Sequence, residues 1–186
     1  MVGIGSIIYV RNIIFKDATK PFEQVDHAFL SGRPCLVVDF DRDYLYFFPI
    51  THVKETREYR NKYIFDETLC LWGKRKYDKH AVTTHYYYKI PFSQMYVHGT
   101  LDPYALAEVM ECYCYNHQKC HNTLFYQNLS YYCDVLKQIG SLSEEKEKNG
   151  SLNPCNLIEE RYDFLSDFNE YLYDEIFPSK SLMKTR

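Results

Sequence analysis

The chain has no apolar run approaching the roughly 20 residues that a membrane-spanning helix needs, so the sequence predicts no transmembrane segment. Its first ten residues hold only a short apolar run, interrupted by Gly3 and Gly5 and without a basic leader, which does not predict a secretory signal peptide. The seven cysteines are odd in number and scattered along the chain, a pattern that favours reduced thiols over a disulfide framework. These absences together predict a cytoplasmic protein.

Several motifs of enzyme chemistry are missing as well. The sequence has no Gly-rich phosphate loop, no nucleophile elbow and no catalytic cysteine signature. Residues 112–121 contain cysteines and histidines, but Cys112 and Cys114 would lie on different faces of a helix, unlike the ligand pairs of zinc sites. We therefore expect packing cysteines and surface histidines here, with no metal and no cofactor. A zinc-binding regulatory domain is the alternative for this segment.

The composition supplies a core and an uneven distribution of charge. Hydrophobic residues make up 46% of the 186 residues, which argues against disorder, and 19 residues are tyrosine. Tyrosine suits the stacking of nucleobases, and it suits strands and mixed cores equally. The net charge of −3 combines a basic span over 54–89 with an acidic span over 141–177. This division is compatible with a groove for a polyanion or with two ordinary solvated faces.

The order of predicted elements is strands first and helices later. Predicted strands cover residues 5–10, 33–38, 44–52, 64–65, 68–72, 83–90 and 94–97. Asp102-Pro103 signals the start of a helix that continues, with a break, to a stop at Gly140. A last amphipathic helix over 157–177 is stopped by Pro178.

This order predicts an α+β fold, in which a small, strongly twisted antiparallel β-barrel of the SH3-like type carries appended helices. We expect residues 1–186 to form a single domain, mainly β-barrel over 1–99 and mainly helical over 100–186.

A pair of predicted strands joined by the polar stretch 39–43 carries the clearest functional signal. The first strand begins at Arg33, which Pro34 restricts to extended geometry, and the second ends at Thr51-His52. In an antiparallel pair the start of one strand lies beside the end of the next, so these three side chains should meet at one edge of the sheet. The aspartates of 39–43 are expected to serve the turn rather than to chelate a cation.

A guanidinium, a hydroxyl and an imidazole together support RNA cleavage by internal transphosphorylation. The ribose 2′-OH attacks the adjacent phosphorus, while the protein stabilises the phosphorane and protonates the 5′ leaving oxygen. Arg33 can hold two phosphate oxygens, and an imidazole can donate or accept the proton. No metal is needed, and DNA should not be cleaved. A basic loop is predicted over residues 73–79, and this loop and its neighbourhood are expected to bind RNA through Lys74, Arg75, Lys76 and His85.

Residues 29–54 resemble the endoribonuclease toxins of type III toxin–antitoxin systems, the ToxN and CptN group. In that group an aromatic-x-x-x-basic unit precedes a hydrophobic strand, as Phe29 and Arg33 do here, and a Pro-aliphatic-Thr-Ser unit ends the next strand, matched by 49–52. Lys54 matches a basic residue just beyond. The resemblance implies a PemK/MazF-like barrel and metal-independent cleavage that leaves a 2′,3′-cyclic phosphate. It also implies inhibition by a small repeat RNA antitoxin within a closed toxin–RNA hetero-oligomer.

The chain departs from that group at informative positions. His52 stands where these toxins carry serine, and Arg33 stands where they carry lysine. Because arginine cannot act as a general acid at neutral pH, proton transfer would fall to His52 or Lys54. Phe29, which is tyrosine in the group, and Tyr9 in the first strand are expected to contact RNA. The alternative function is a non-catalytic SH3-like barrel that binds nucleic acid or a protein partner.

Overall fold

A curled antiparallel sheet precedes three helices in the computed structural model, which describes residues 1–10, 33–53, 62–66, 70–72, 79–149 and 154–178. Within these ranges the strands are β1 (Ser6–Val10), β2 (Arg33–Phe40), β3 (Tyr44–His52), β4 (Lys62–Asp66), β5 (Cys70–Trp72), β6 (Lys79–Thr83), β7 (Tyr88–Pro91) and β8 (Gly99–Leu101). The helices are α1 (Pro103–Asn116), α2 (Leu124–Lys148) and α3 (Pro154–Ile176). The expected α+β class is confirmed.

The sheet runs in the order β4-β6-β3-β2-β1-β8-β5, and every pairing in it is antiparallel. On one edge β3 pairs with β2, and on the other it pairs first with β7 and then, over its last three residues, with β6. A register shift between Val37 and Asp39 interrupts the β2–β3 ladder, and such bulges increase the local twist of a strand. The change of partner along β3 and this bulge accompany the curling of the sheet into a half-barrel.

The core lies on both faces of the central strands. From Cys35 to Phe40 every residue of β2 is buried, and so is β3 from Phe47 to Ile50. Strands that are buried on both faces are continuously apolar rather than alternating, as these two are. One face meets the helices, where the ring of Phe48 packs 5.4 Å from that of Tyr113 on α1.

The start of α1 follows the sequence signal. Oδ1 of Asp102 accepts hydrogen bonds from the backbone N–H groups of Tyr104 at 2.9 Å and Ala105 at 3.4 Å, and Pro103 fills the first helical position. The other carboxylate oxygen lies 3.3 Å from the guanidinium of Arg161 on α3, so the cap also joins two helices. No helix within the described ranges is both long and apolar enough to cross a bilayer.

Three predicted boundaries are wrong. The strand expected over 83–90 is divided, because β6 ends at Thr83 and the backbone carbonyl of Thr84 instead lies 3.2 Å from Nε2 of His117 at the end of α1. Residues 94–97 form no strand, since pairing with β1 begins only where His98 donates its N–H to Ile7 at 2.8 Å. The helix α2 passes through Gly140 to Lys148; one glycine costs a helix only about 1 kcal/mol.

Asp39 was expected in the turn, and this prediction is also wrong. It belongs to β2 and is buried, and its carboxylate accepts hydrogen bonds from Nδ2 of Asn128 at 3.0 Å, the hydroxyl of Tyr132 at 3.0 Å and the N–H of Phe40 at 2.9 Å. Burial raises the pKa of Asp39 to about 6, although these hydrogen bonds oppose the shift. The residue therefore ties the sheet to α2.

Candidate functional site

The predicted strand ends meet at one end of the sheet, which we call the site end and define by Tyr9-Val10, Arg33-Pro34, Thr51-His52 and residues 96–98. Val10 is paired with Arg33 across β1 and β2. Cys35 is paired with Pro49 across β2 and β3, where the ladder ends, and two residues further along each strand are Arg33 and Thr51. The register therefore brings the start of β2 and the end of β3 to the same end of the sheet.

The position of each residue along its strand shows which face of the sheet it belongs to. Because side chains alternate between faces, Arg33 and Thr51 occupy positions of one face. Tyr9, which is paired with Pro34, and His52, which follows Thr51 in β3, occupy positions of the other face. Arg33 is exposed, and Thr51 and Tyr9 are half-buried. Arg33 is therefore placed where solvent and a phosphate can reach its guanidinium, at the rim between two strands that end together.

The neighbouring strand adds charge and an imidazole. Thr51 is paired with Ala81 and His52 with His80 of β6, and His80 is buried. Lys79, which precedes it, is exposed. Arg33 and Lys79 thus place positive charge on two strands that flank β3 at the site end, which suits a polyanion.

Cys35 is the thiol nearest in sequence to Arg33, and it is a core residue, as expected. It is fully buried, and burial raises the pKa of its thiol far above the usual range. The nearby Arg33 acts in the opposite direction but more weakly. A thiol that stays protonated in the core is not a nucleophile for this site.

His85, which was predicted to bind RNA, is not brought to the site end. The register of β6 pairs His80 with His52 and Val82 with Ile50, so β6 runs away from the site end before it reaches His85. Its ring is exposed and lies 6.1 Å from that of His117, at the end of α1. The other predicted residues Phe29, Lys54, Lys74, Arg75 and Lys76 lie outside the described residues.

Sequence reasoning missed two residues at the site end, Tyr96 and His98. The ring of His98 lies edge-to-face 4.6 Å from that of Tyr9 and 4.7 Å from that of Tyr96. We call these three side chains the aromatic cluster. The sequence placed Tyr96 only within the predicted strand 94–97, and His98 follows it. Their proximity to Tyr9 was not visible in the sequence, because nearly 90 residues separate the partners.

The cysteine and histidine segment 112–121 forms a packed helix end. The Sγ atom of Cys112 lies 3.4 Å from Oγ1 of Thr84, and the ring of His117 stacks 4.3 Å from that of Tyr113. Within the described ranges no group of three or more histidine, cysteine or acidic side chains is arranged to hold a metal ion. The contacts of these side chains are those of packing between α1 and the segment after β6.

Comparison with protein-family models gives no match for this chain, and comparison with curated protein sequences gives none either. The function is therefore inferred from the residues of the site end and from their placement in the fold.

Proposed function

We propose that the protein is a metal-independent endoribonuclease that cleaves RNA by attack of a ribose 2′-OH on the adjacent phosphodiester. One observation carries this proposal: the antiparallel register that brings Arg33, at the start of β2, to the same sheet end as Thr51-His52, at the end of β3. The exposure of Arg33 and the presence of Lys79 nearby support an anionic substrate.

The proposed step uses only the RNA and the side chains of Arg33, Thr51, His52 and Lys54. The 2′-oxygen forms a bond to phosphorus, the bond from phosphorus to the 5′-oxygen breaks, and the products are a 2′,3′-cyclic phosphate and a free 5′-hydroxyl. Arg33 stabilises the charge of the phosphorane through its guanidinium, and Thr51 orients a phosphate oxygen. His52, whose position lies on the other face at the end of β3, reaches the phosphate across the rim and accepts the 2′-OH proton or donates one to the leaving oxygen. Lys54 is the second proton carrier.

In biological terms we propose a toxin of the ToxN/CptN type with a PemK/MazF-like barrel. The curled antiparallel sheet and the motifs over residues 29–54 support this assignment. Such a protein would act in the cytoplasm, away from membranes. A small repeat RNA antitoxin would hold it inactive in a closed hetero-oligomer with the toxin.

The proposal is tested by incubating the purified protein with RNA in excess EDTA and analysing the new ends by mass spectrometry. We expect cleavage with 2′,3′-cyclic phosphate ends. An absolute requirement for added divalent metal, or 3′-hydroxyl ends, would overturn the mechanism. Binding of RNA without any cleavage would favour the non-catalytic SH3-like barrel.

The cellular role has its own test. Expression of the wild-type chain should arrest growth, and both Arg33→Ala and His52→Ala should relieve the arrest while the proteins accumulate in folded form. Arg42→Ala is a matched control, because Arg42 is an exposed arginine in the turn at the opposite end of the same strand pair. If both site variants stayed fully toxic, the assigned residues would be wrong.

A further inference from the structure

The aromatic cluster presents a large ring to solvent. The side chain of Tyr96 is 77% exposed, more than any other large hydrophobic side chain in the described ranges. An exposed ring of this size gains little from burial in the folded protein itself. About three quarters of the surface of Tyr96 is therefore available to a partner.

The cluster is nevertheless held in place by the sheet. Tyr9 belongs to β1, and the backbone of His98 is anchored by its 2.8 Å hydrogen bond to Ile7. The edge-to-face contacts of His98 with both tyrosines have centroid separations of 4.6 and 4.7 Å, which lie within the favourable range for aromatic pairs. A base that stacks on Tyr96 would therefore meet a ring that is already positioned.

The cluster lies close to the proposed phosphate site. The strand order is β8-β1-β2, and neighbouring strands are about 4.8 Å apart. His98 lies level with Ile8 and Arg33 with Val10, so the two backbone positions are about 12 Å apart. Tyr9 and Arg33 occupy positions of opposite faces. An RNA strand that crosses the rim would thus place a phosphate on one side of it and a base on the other.

We infer that the aromatic cluster is a stacking site for an unpaired base of single-stranded RNA, with Tyr96 as the platform and Tyr9 and His98 as its support. This inference rests on the proposed ribonuclease function, because it identifies how the same site end holds its substrate. Single-stranded RNA is the class that fits, since its bases can leave their own stack and lie on an aromatic side chain. Stacking uses the face of the base, which every base has, so the site tolerates different bases.

Binding to a non-cleavable RNA tests the inference. The probe is a fluorescein-labelled single-stranded RNA of mixed sequence in which every 2′-OH is methylated, followed by fluorescence anisotropy at low salt. Tyr96→Ala should weaken binding about tenfold, the size expected for the loss of one stacked base. Tyr96→Phe keeps the ring and should bind within twofold of the wild type.

Tyr115→Ala is the matched control, because Tyr115 on α1 is 75% exposed and lies outside the cluster. It should bind as the wild type does. An abasic oligonucleotide, which offers phosphates without bases, should bind the wild type and Tyr96→Ala equally. Equal losses in Tyr96→Ala and Tyr115→Ala, or no loss in Tyr96→Ala, would overturn the stacking site. A wild type that fails to bind the RNA probe would overturn it too.

The stacking site and the ribonuclease function can fail separately. If the wild type cleaves unmodified RNA but Tyr96→Ala binds the probe normally, the stacking site is wrong and the ribonuclease function stands. If binding depends on Tyr96 but unmodified RNA is never cleaved, the ribonuclease function is wrong and the stacking site stands.

Discussion

The two ends of the β2–β3 pair differ in the role that we assign to their polar groups. At the turn end, which we define as residues 39–46, the polar side chains bond to the protein itself. Asp41 accepts hydrogen bonds from the N–H groups of Asp43 and Tyr44 and from the hydroxyl of Tyr46, while Asp39 joins α2. Arg42 donates to the backbone carbonyl of Ile176 on α3 at 2.7 Å.

At the site end Arg33, Tyr96 and His98 are exposed, while Tyr9 and Thr51 are half-buried. The strand pair therefore joins an end whose polar groups bond to the helices and the turn to an end that carries the proposed substrate site. Variants at the site end should therefore change RNA cleavage, and variants at the turn end should change the free energy of unfolding.

Removing the guanidinium at the site end should have the largest effect. Arg33→Ala should lower the single-turnover rate of RNA cleavage by about 10²–10³-fold, because the phosphorane loses a charged donor. The variant should still unfold cooperatively in urea, which shows that the lost activity is not a loss of the fold. A variant that cleaves normally, or one that loses activity only because it unfolds, would contradict the separation of the two ends.

At the turn end, stability should depend on pH through Asp39. Its pKa is about 6 in the folded protein and about 4 in the unfolded chain, so the folded state binds the proton more tightly. The resulting contribution to stability is fully present below pH 4 and is lost as the pH rises through 6, up to about 3 kcal/mol.

Asp39→Asn should remove this dependence, because an amide does not titrate. Oδ1 can still accept from Tyr132 and Phe40, and the amide of Asn128 has to turn its oxygen toward the new Nδ2. The difference in unfolding free energy between the variant and the wild type, followed by urea denaturation from pH 4 to pH 7, should shift in favour of the variant. A difference that stays constant across this range would show that Asp39 does not titrate as described.

The tyrosine that donates to this carboxylate gives a third, smaller effect. Tyr132→Phe keeps the ring and removes the 3.0 Å hydrogen bond, which should lower the free energy of unfolding by about 2 kcal/mol at pH 7. Cleavage by the folded fraction should stay within twofold of the wild type. A large loss of the cleavage rate with unchanged stability would instead connect α2 to the site end.

The smallest effect is expected for the arginine in the turn. Arg42→Ala loses an exposed hydrogen bond to α3 and should cost about 1 kcal/mol in the free energy of unfolding. RNA cleavage should be unchanged. If Arg42→Ala reduced cleavage as strongly as Arg33→Ala, positive charge in general, rather than its position at the site end, would explain the activity.

Local sequence signals predicted the parts of the fold that local interactions determine. The apolar runs of β2 and β3 with a polar stretch between them gave the strand pair and the site end, and Asp102-Pro103 gave the start of α1. The elements that were missed depend on distant contacts. Asp39 reads as a turn residue until Asn128 and Tyr132 of α2 are seen to bury it.

The same distinction applies to the candidate site. The meeting of Arg33 with Thr51-His52 at one sheet end could be predicted from the sequence, because a short hairpin joins the two strands. That Arg33 lies level with Thr51 depends on the register shift between Val37 and Asp39, which the sequence does not show. The approach of Tyr96 and His98 to Tyr9 could not be predicted, because only the pairing of β8 with β1 brings them there.

The helix boundary at Gly140 was also missed. Gly140 was predicted to stop the helix, yet the buried side chains of Leu136 and Ile139 keep α2 packed up to it.

The most direct measurement uses two RNAs that differ by one oxygen, an all-ribose oligonucleotide and its match with a single 2′-deoxynucleotide at the cleaved position. Each is incubated in EDTA with the wild type, Arg33→Ala or Arg42→Ala under single-turnover conditions. If the 2′-OH attacks at the site end, the wild type and Arg42→Ala should cleave only the all-ribose RNA and leave a 2′,3′-cyclic phosphate. Arg33→Ala should cleave the same RNA at least about 100-fold more slowly. Cleavage of the deoxy-substituted RNA at that position, or wild-type rates with Arg33→Ala, would contradict it.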